Sequence, residues 1–155
     1  MIEIYTDGAT SSNGYEDSVG GWAYILVHNG QIFKRESGTV KPATNNQCEL
    51  MAMIEACKMA LTLRIGEKFT LYSDSAYCIN CYKEKWYKKW RVNGWKNSKN
   101  QPVSNQDLWE ELIPYFESED FNFKKIKGHS INRFNNIVDK MAVEAKNAKC
   151  DNSSV

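Results

Sequence analysis

The chain has 155 residues, 42% of them hydrophobic and 25% charged, which suits one globular domain and excludes wholesale disorder. No apolar run is long enough to cross a membrane, and Met1 leads directly into a strand-like segment rather than a targeting peptide. The five cysteines are an odd number for a disulfide framework. We therefore expect a cytoplasmic protein. The formal net charge of +1 by itself neither favours nor excludes a polyanionic partner.

Five strands are predicted from short segments rich in β-branched and aromatic residues. They lie at residues 2–7, 21–28, 31–40, 68–73 and 121–126. Asn29-Gly30, between the second and third strands, is typical of a tight hairpin turn. Short links between the first three strands predict an antiparallel meander.

Four helices are predicted from apolar residues that recur every three or four positions, at residues 46–63, 75–90, 106–117 and 135–149. Before the first of them, Thr44 is followed three residues later by Gln47, the spacing of a capping box. Helices alternate with strands after the meander, so we predict an α/β fold: a five-stranded mixed sheet with helices on both faces. Residues 1–148 are predicted to form a single domain and residues 149–155 a disordered tail.

Two predicted strands end in the same order of residue types. Ile4-Tyr5-Thr6-Asp7-Gly8 and Leu71-Tyr72-Ser73-Asp74-Ser75 each run apolar, aromatic, hydroxyl, aspartate, small. Side chains at strand ends of an open α/β sheet gather in the crevice where ligands bind. Either aspartate alone is better explained as the start of a turn or a helix cap.

Two more acids lie near helix starts, on faces that carry apolar residues. Glu49 shares a stripe with Met53, and Asp139 lies beside Val138. A carboxylate on such a face is expensive to desolvate unless something positive meets it, and four such acids brought together would repel one another without a cation. Ligation by oxygen alone favours Mg²⁺ or Mn²⁺, and two such ions about 4 Å apart can support phosphodiester hydrolysis.

Positive charge is concentrated in residues 83–99, where seven basic residues accompany one acid. This segment therefore carries +6 and the rest of the chain −5. Such segregation produces a local positive field that attracts a phosphate backbone. Trp86, Trp90 and Trp95 alternate with the lysines and are interpreted mainly as the packing core of a helical arm, with edges that can touch sugar or phosphate.

Four motifs together resemble type 1 ribonuclease H. They are Tyr5-Thr6-Asp7-Gly8, Thr44-Asn45-Asn46-Gln47-Cys48-Glu49-Leu50, Tyr72-Ser73-Asp74-Ser75 and Gly128-His129 followed by Asp139. Their order and spacing agree from about residue 2 to residue 146, and the combination is highly specific. The resemblance implies the ribonuclease H-like fold and a metal-dependent endonuclease. Such an enzyme hydrolyses the RNA strand of RNA–DNA hybrids and leaves 5′-phosphate and 3′-hydroxyl ends.

The resemblance also implies roles by position. Metal binding is implied for four carboxylates: Asp7, Glu49, Asp74 and Asp139. The cofactor would be Mg²⁺, for which Mn²⁺ could substitute, with two ions in each site when substrate is bound. His129 would help to move protons or release product. Substrate contacts are implied for Asn13, Thr44, Asn45, Asn46, Lys85, Trp86, Lys88, Lys89, Trp90, Lys96 and Asn105. The expected partner is an RNA–DNA hybrid duplex. The protein is expected to be a monomer that does not associate with a membrane.

The chain departs from the family pattern at several positions. Residues 14–19 form an acidic, longer loop, Ala76 stands where the family usually carries a Gln that touches RNA, and Ile131 replaces a glycine. Pro42 occupies a place where some members carry a phosphate-binding Arg. None of these changes removes a metal ligand, so they bear on affinity and rate.

Two other functions fit the residues less well. A non-catalytic nucleic-acid-binding module with the same fold would gain nothing from four mutually repelling carboxylates. A 3′–5′ exonuclease would carry two acids separated by one residue on the first strand, and the residues around Asp7 lack that pattern.

Overall fold

The computed structural model describes residues 1–11, 18–41, 43–63, 66–127 and 132–153, with side chains up to residue 148. Its elements are β1 (Ile2–Thr10), β2 (Gly20–His28), β3 (Gln31–Val40), α1 (Asn45–Thr62), β4 (Phe69–Ser73), α2 (Ala76–Glu84), α3 (Trp86–Asn93), α4 (Gln106–Phe116), β5 (Phe121–Lys125) and α5 (Arg133–Ser153). Among these described elements, no helix combines the length and apolarity that a membrane crossing requires.

The five strands form one mixed sheet in the order β3-β2-β1-β4-β5. β1, β2 and β3 pair antiparallel, whereas β4 runs parallel to both β1 and β5. The predicted meander and mixed sheet are therefore confirmed. Tyr5 of β1 lies opposite Tyr72 of β4, and this register brings Asp7 and Asp74 level at the same edge of the sheet.

Alternate residues of the central strands face two separate apolar cores. Ile4 and Tyr24 belong to the larger core, which they share with α1, α2, α3 and α4. Tyr5 and Ile25 point to the opposite face, where Val138 of α5 covers them. The period of two along a strand produces this division, and it confirms helices on both faces of the sheet.

The start of α1 is fixed by the predicted capping box. The Thr44 hydroxyl accepts from the Gln47 amide at 3.2 Å, and Gln47 Oε1 accepts from the Thr44 amide at 3.3 Å. Gly8 of β1 lies directly beneath this turn, because a Cβ built there would be 2.6 Å from the Cβ of Cys48. The close approach brings the first turn of α1 against the end of β1.

The helix predicted over residues 75–90 is wrong as a single element. It is two helices, α2 and α3, separated by Lys85 in the left-handed region at φ 56° and ψ 44°. The apolar spacing continues through the break, so periodicity alone did not reveal it. β1 also runs to Thr10, past the predicted end at residue 7, because its last residues pair with the start of β2.

The last helix extends beyond the predicted end at residue 149. α5 continues to Ser153, so part of the segment predicted as a disordered tail is helical. Residues 150–153 contain neither proline nor glycine, which removes the usual local reason for a helix to stop there.

Replacing Gly21 by alanine is expected to destabilise the fold by about 1–3 kcal/mol, because the added methyl overpacks the contact between β2 and α5. Its Cβ would collide with the carbonyl oxygen of Ala142 and lie 2.7 Å from the amide nitrogen of Lys146. Urea denaturation measures the change. Thr39→Val, at the exposed residue paired with Gly21 in β3, is the control and should stay within about 0.5 kcal/mol. An equally small effect of Gly21→Ala would contradict the tight packing of α5.

Candidate active site

Three carboxylates meet beside the second half of β1, the end of β4 and the start of α1. Asp7, Glu49 and Asp74 each offer an oxygen, and these oxygens all lie within 4.8 Å of one another. Asp7 is 3% exposed and Glu49 8% exposed, whereas Asp74 is only partly buried. The cluster thus combines two carboxylates deep in the fold with one nearer to solvent.

Asp139 reaches the same cleft from the other face of the sheet. The cleft has a volume of about 450 Å³ and is lined by all four predicted carboxylates. Asp139 is exposed on α5, and its side chain hydrogen-bonds that of Asp7. The ring of Phe134, in the first turn of α5, packs 5.3 Å from the ring of Tyr5 and helps to hold this helix against β1.

The acids strongly perturb one another. Burial is the main cause that raises the pKa of Asp7 to about 7, and the charge of Asp74 and the hydrogen bond to Asp139 raise it further. The hydrogen bonds to Glu49 and from the Gly8 amide partly oppose this rise. Burial and the neighbouring Asp7 raise the pKa of Glu49 well above its ordinary value. Without a cation, the buried pair therefore retains a proton near neutral pH.

The donors fit a hard divalent cation. Glu49 Oε2 is buried and has no hydrogen-bond partner among the described residues. Within the same part of the chain, no ion pair to a basic side chain involves Asp7 or Glu49. A divalent ion would satisfy this oxygen and offset the repulsion, and a donor set made only of carboxylate oxygens suits Mg²⁺ or Mn²⁺ rather than zinc.

Two of the predicted substrate residues line the cleft. Asn45 and Asn46 are exposed at the start of α1, and the Thr10 hydroxyl donates to Asn45 Oδ1 at 2.7 Å. Thr44 caps the helix just before them. Asn105 precedes α4 with a left-handed backbone at φ 61°, outside the residues that line the cleft.

The contacts predicted for the basic segment, lysines and tryptophans, divide between two surfaces. A groove of about 580 Å³, here called the protrusion groove, is lined by five of them: Lys85, Trp86, Lys89, Trp90 and Lys96. Lys88 is not among its lining residues and lies instead in another groove, with Lys83. The structure therefore separates Lys88 from Trp86, Lys89, Trp90 and Lys96, whereas Lys85 lines both grooves.

Several sequence predictions lie outside the described residues. These are the candidate site residues Asn13 and His129, together with the departures at Pro42, Ile131 and most of the loop 14–19.

The structure adds three residues that sequence reasoning missed. Asn135 and Asn136 line the cleft from the first turn of α5, and Asn135 is 3% exposed. The spacing of Asn135 four residues before Asp139 was a usable signal, because such residues share a helix face. Tyr77 lines both the cleft and the protrusion groove, and it therefore connects them. Nothing in the sequence distinguished Tyr77 from a core aromatic residue.

Comparisons with known proteins agree with the motifs. The family model "RNase H" matches residues 1–147. The chain is 46% identical over 144 residues to a ribonuclease H of Caldanaerobacter subterraneus subsp. tengcongensis. The aligned region covers 93% of this chain and 90% of the relative. Among solved structures, LC9-RNase H1 has a TM-score of 0.78 at 22% identity, covering 95% of this chain and 72% of that one. LC11-RNase H1, solved in complex with RNA/DNA hybrid, has a TM-score of 0.71 at 18% identity, covering 97% and 99%.

The raised pKa of Asp7 predicts a pH-dependent stability in EDTA. Because the folded pKa, about 7, exceeds the ordinary 3.8, the folded state holds the proton more tightly, and this stabilisation is lost as the pH rises from about 4 through 7. The side chain of Asp7→Asn is neutral at every pH of the experiment. The free energy of unfolding of this variant should therefore exceed that of the wild type by about 1 kcal/mol or more at pH 8, and by less at pH 5. Urea unfolding at both pH values measures the difference. Asp120→Asn, at an exposed aspartate outside the cleft, is the control. A gap that does not change with pH would contradict the buried, repelling pair.

Proposed function

The chain belongs to the ribonuclease H family, and we propose that it is an endonuclease that hydrolyses the RNA strand of RNA–DNA hybrids, using two Mg²⁺ ions and leaving 5′-phosphate and 3′-hydroxyl ends. The observation that carries this proposal is the convergence of Asp7, Glu49 and Asp74 within 4.8 Å in an open cleft. Residues 1–148 would act as one domain, as a monomer in the cytoplasm.

Bound divalent ions would supply an activated water and offset the charge that develops on the leaving 3′-oxygen. The residues of the chain fix where this happens. Asp7 is held in the central strand and Glu49 in a capped helix turn, so neither carboxylate needs to reorganise before substrate arrives. Asp74 and Asp139 are nearer to solvent and would complete the ligand set from the side that the substrate approaches.

Recognition of RNA is assigned to the rim of the cleft. The 2′-hydroxyl both donates and accepts hydrogen bonds, and the exposed amides of Asn45 and Asn46 can meet either need. The positive end of α1 lies at the same place and carries no acid in its first turn, which favours a nearby phosphate. Asn13 would contact the RNA strand and His129 would move protons or release product.

The other strand of the duplex is assigned to the protrusion groove. Tyr77 lines both concavities, so a duplex with one strand in the cleft can place its partner strand beside Trp86 and Trp90. Lys85, Lys89 and Lys96 add positive charge there, which gives a salt-dependent affinity without sequence preference. The structural relative solved with an RNA/DNA hybrid supports this substrate class.

Cleavage should require both the hybrid and the metal. We expect labelled RNA to be cut in a hybrid with DNA in the presence of Mg²⁺, to be cut much less as single-stranded or double-stranded RNA, and to survive in EDTA. Asp7→Asn should reduce cutting to background and still bind hybrid, because the substitution removes one ligand charge without changing the volume of the side chain. Gel analysis of the labelled strand measures the outcome.

Asp120→Asn should cut like wild type in the same assay. Near-wild-type cutting by Asp7→Asn would show that the metal assignment is wrong. Tight hybrid binding by the wild-type protein with no cutting in either Mg²⁺ or Mn²⁺ would instead support the non-catalytic binding module.

Restoring an amide at residue 76 should strengthen substrate binding. Ala76 is exposed at the start of α2 and lines the cleft, so Ala76→Gln has room to reach RNA. One added hydrogen bond is worth about 1 kcal/mol, which corresponds to a KM about fivefold lower with little change in kcat. Ala76→Met, of similar length without the amide, is the matched control. An equal effect of both substitutions would show that contact area rather than a hydrogen bond is responsible.

A further inference from the structure

The helical arm made by α2 and α3 carries a second basic groove that shares Lys85 with the protrusion groove. This outer groove has a volume of about 430 Å³ and is lined mainly by Tyr82, Lys83, Lys85, Tyr87, Lys88 and Phe116. We propose that the outer groove binds the phosphate backbone of a nucleic-acid strand that continues beyond the hybrid. The proposal rests on the proposed function, because it assumes a hybrid in the protrusion groove.

The charge of the outer groove is positive and largely uncompensated. Lys83, Lys85 and Lys88 are all exposed there. The acid that lines the groove, Glu117, is held by Arg91, whose two terminal nitrogens donate to its two carboxylate oxygens at 3.0 and 2.8 Å. Because this bidentate pair neutralises Glu117, three lysine charges remain for an anionic ligand.

The floor of the groove favours contact with a backbone over contact with bases. Tyr87 and Phe116 are 3% and 5% exposed, so neither offers an open ring face for stacking. Tyr82 packs its ring 5.2 Å from that of Phe116 and donates its hydroxyl to Asn122. With the rings engaged by the core, the accessible recognition elements are the lysines, which attract phosphate without reading sequence.

Continuity with the protrusion groove identifies the ligand as nucleic acid. Lys85 lines both grooves from its left-handed position between α2 and α3. The next turn directs Lys88 to the outer groove and Lys89 to the protrusion groove, because consecutive helix residues differ by about 100° in direction. A strand leaving the protrusion groove over Lys85 would therefore meet Lys83 and Lys88. An acidic peptide matches the charge but gains nothing from this shared lysine.

The test compares a short blunt hybrid with the same hybrid carrying a single-stranded DNA tail. Fluorescence anisotropy in EDTA gives both dissociation constants, and their ratio is the readout, so a general loss of affinity cancels. We expect the tail to tighten wild-type binding and the double variant Lys83→Ala/Lys88→Ala to lose that gain. For the double variant and the tailed substrate, the plot of log binding constant against log salt concentration should also be shallower by about 1.4. Each single-strand phosphate contact contributes about 0.7 to this slope, and two lysines are removed.

Lys34→Ala/Arg35→Ala is the matched control, because it removes the same charge from exposed positions of the edge strand β3 and should keep the gain. A tail that adds nothing to wild-type binding, or a gain that survives in Lys83→Ala/Lys88→Ala, would overturn the proposal. A third result would also overturn it: no effect of the tail, together with a polyglutamate peptide that binds the wild type but not the double variant. The groove would then bind acidic peptides. Cleavage of the blunt hybrid by wild type in Mg²⁺ reports separately on the proposed function.

Discussion

The repulsion between Asp7 and Glu49 is the constraint around which the molecule is organised. Both carboxylates are nearly inaccessible to solvent, so water cannot screen them, and the fold holds them together at a cost that a proton or a cation must offset. The central strand supplies one acid and the capped start of α1 the other. Gly8 allows the helix to approach closely enough for the two to meet. A close-packed interior with no side chain at residue 8 therefore sets the geometry of the site.

The four acids differ in exposure, and the difference follows from the elements that carry them. Asp7 in β1 and Glu49 in α1 are buried, whereas Asp74 is half-buried just after β4 and Asp139 is exposed on α5. Packing holds buried side chains in place, whereas exposed side chains have more freedom to move. As the proposed metal ligands, the four acids would therefore give the cleft a rigid floor and an adaptable rim.

Much of the architecture was predictable because it depends on local signals. The alternation of residue types predicted the strands, the capping residues predicted the start of α1, and matching strand ends pointed to Asp7 and Asp74. The break at Lys85 was not predictable, because the apolar spacing runs through it and a single left-handed residue leaves no mark in periodicity. The separation of Lys88 from Lys89 follows from the direction of consecutive residues on α3, and it needed the two grooves to be seen. Tyr77 was missed for a related reason, since its role comes from two concavities that meet in space.

The docking of α5 also determines when the centre can be assembled during synthesis. Asp7, Glu49 and Asp74 all precede residue 75, whereas Asp139 is carried by a helix that packs on the opposite face of the sheet, against β1 and β2. A growing polypeptide that has emerged only as far as β5 contains every residue of the larger core but lacks the fourth acid. The proposed set of four acids is therefore complete only after α5 has been synthesised and has docked on the sheet.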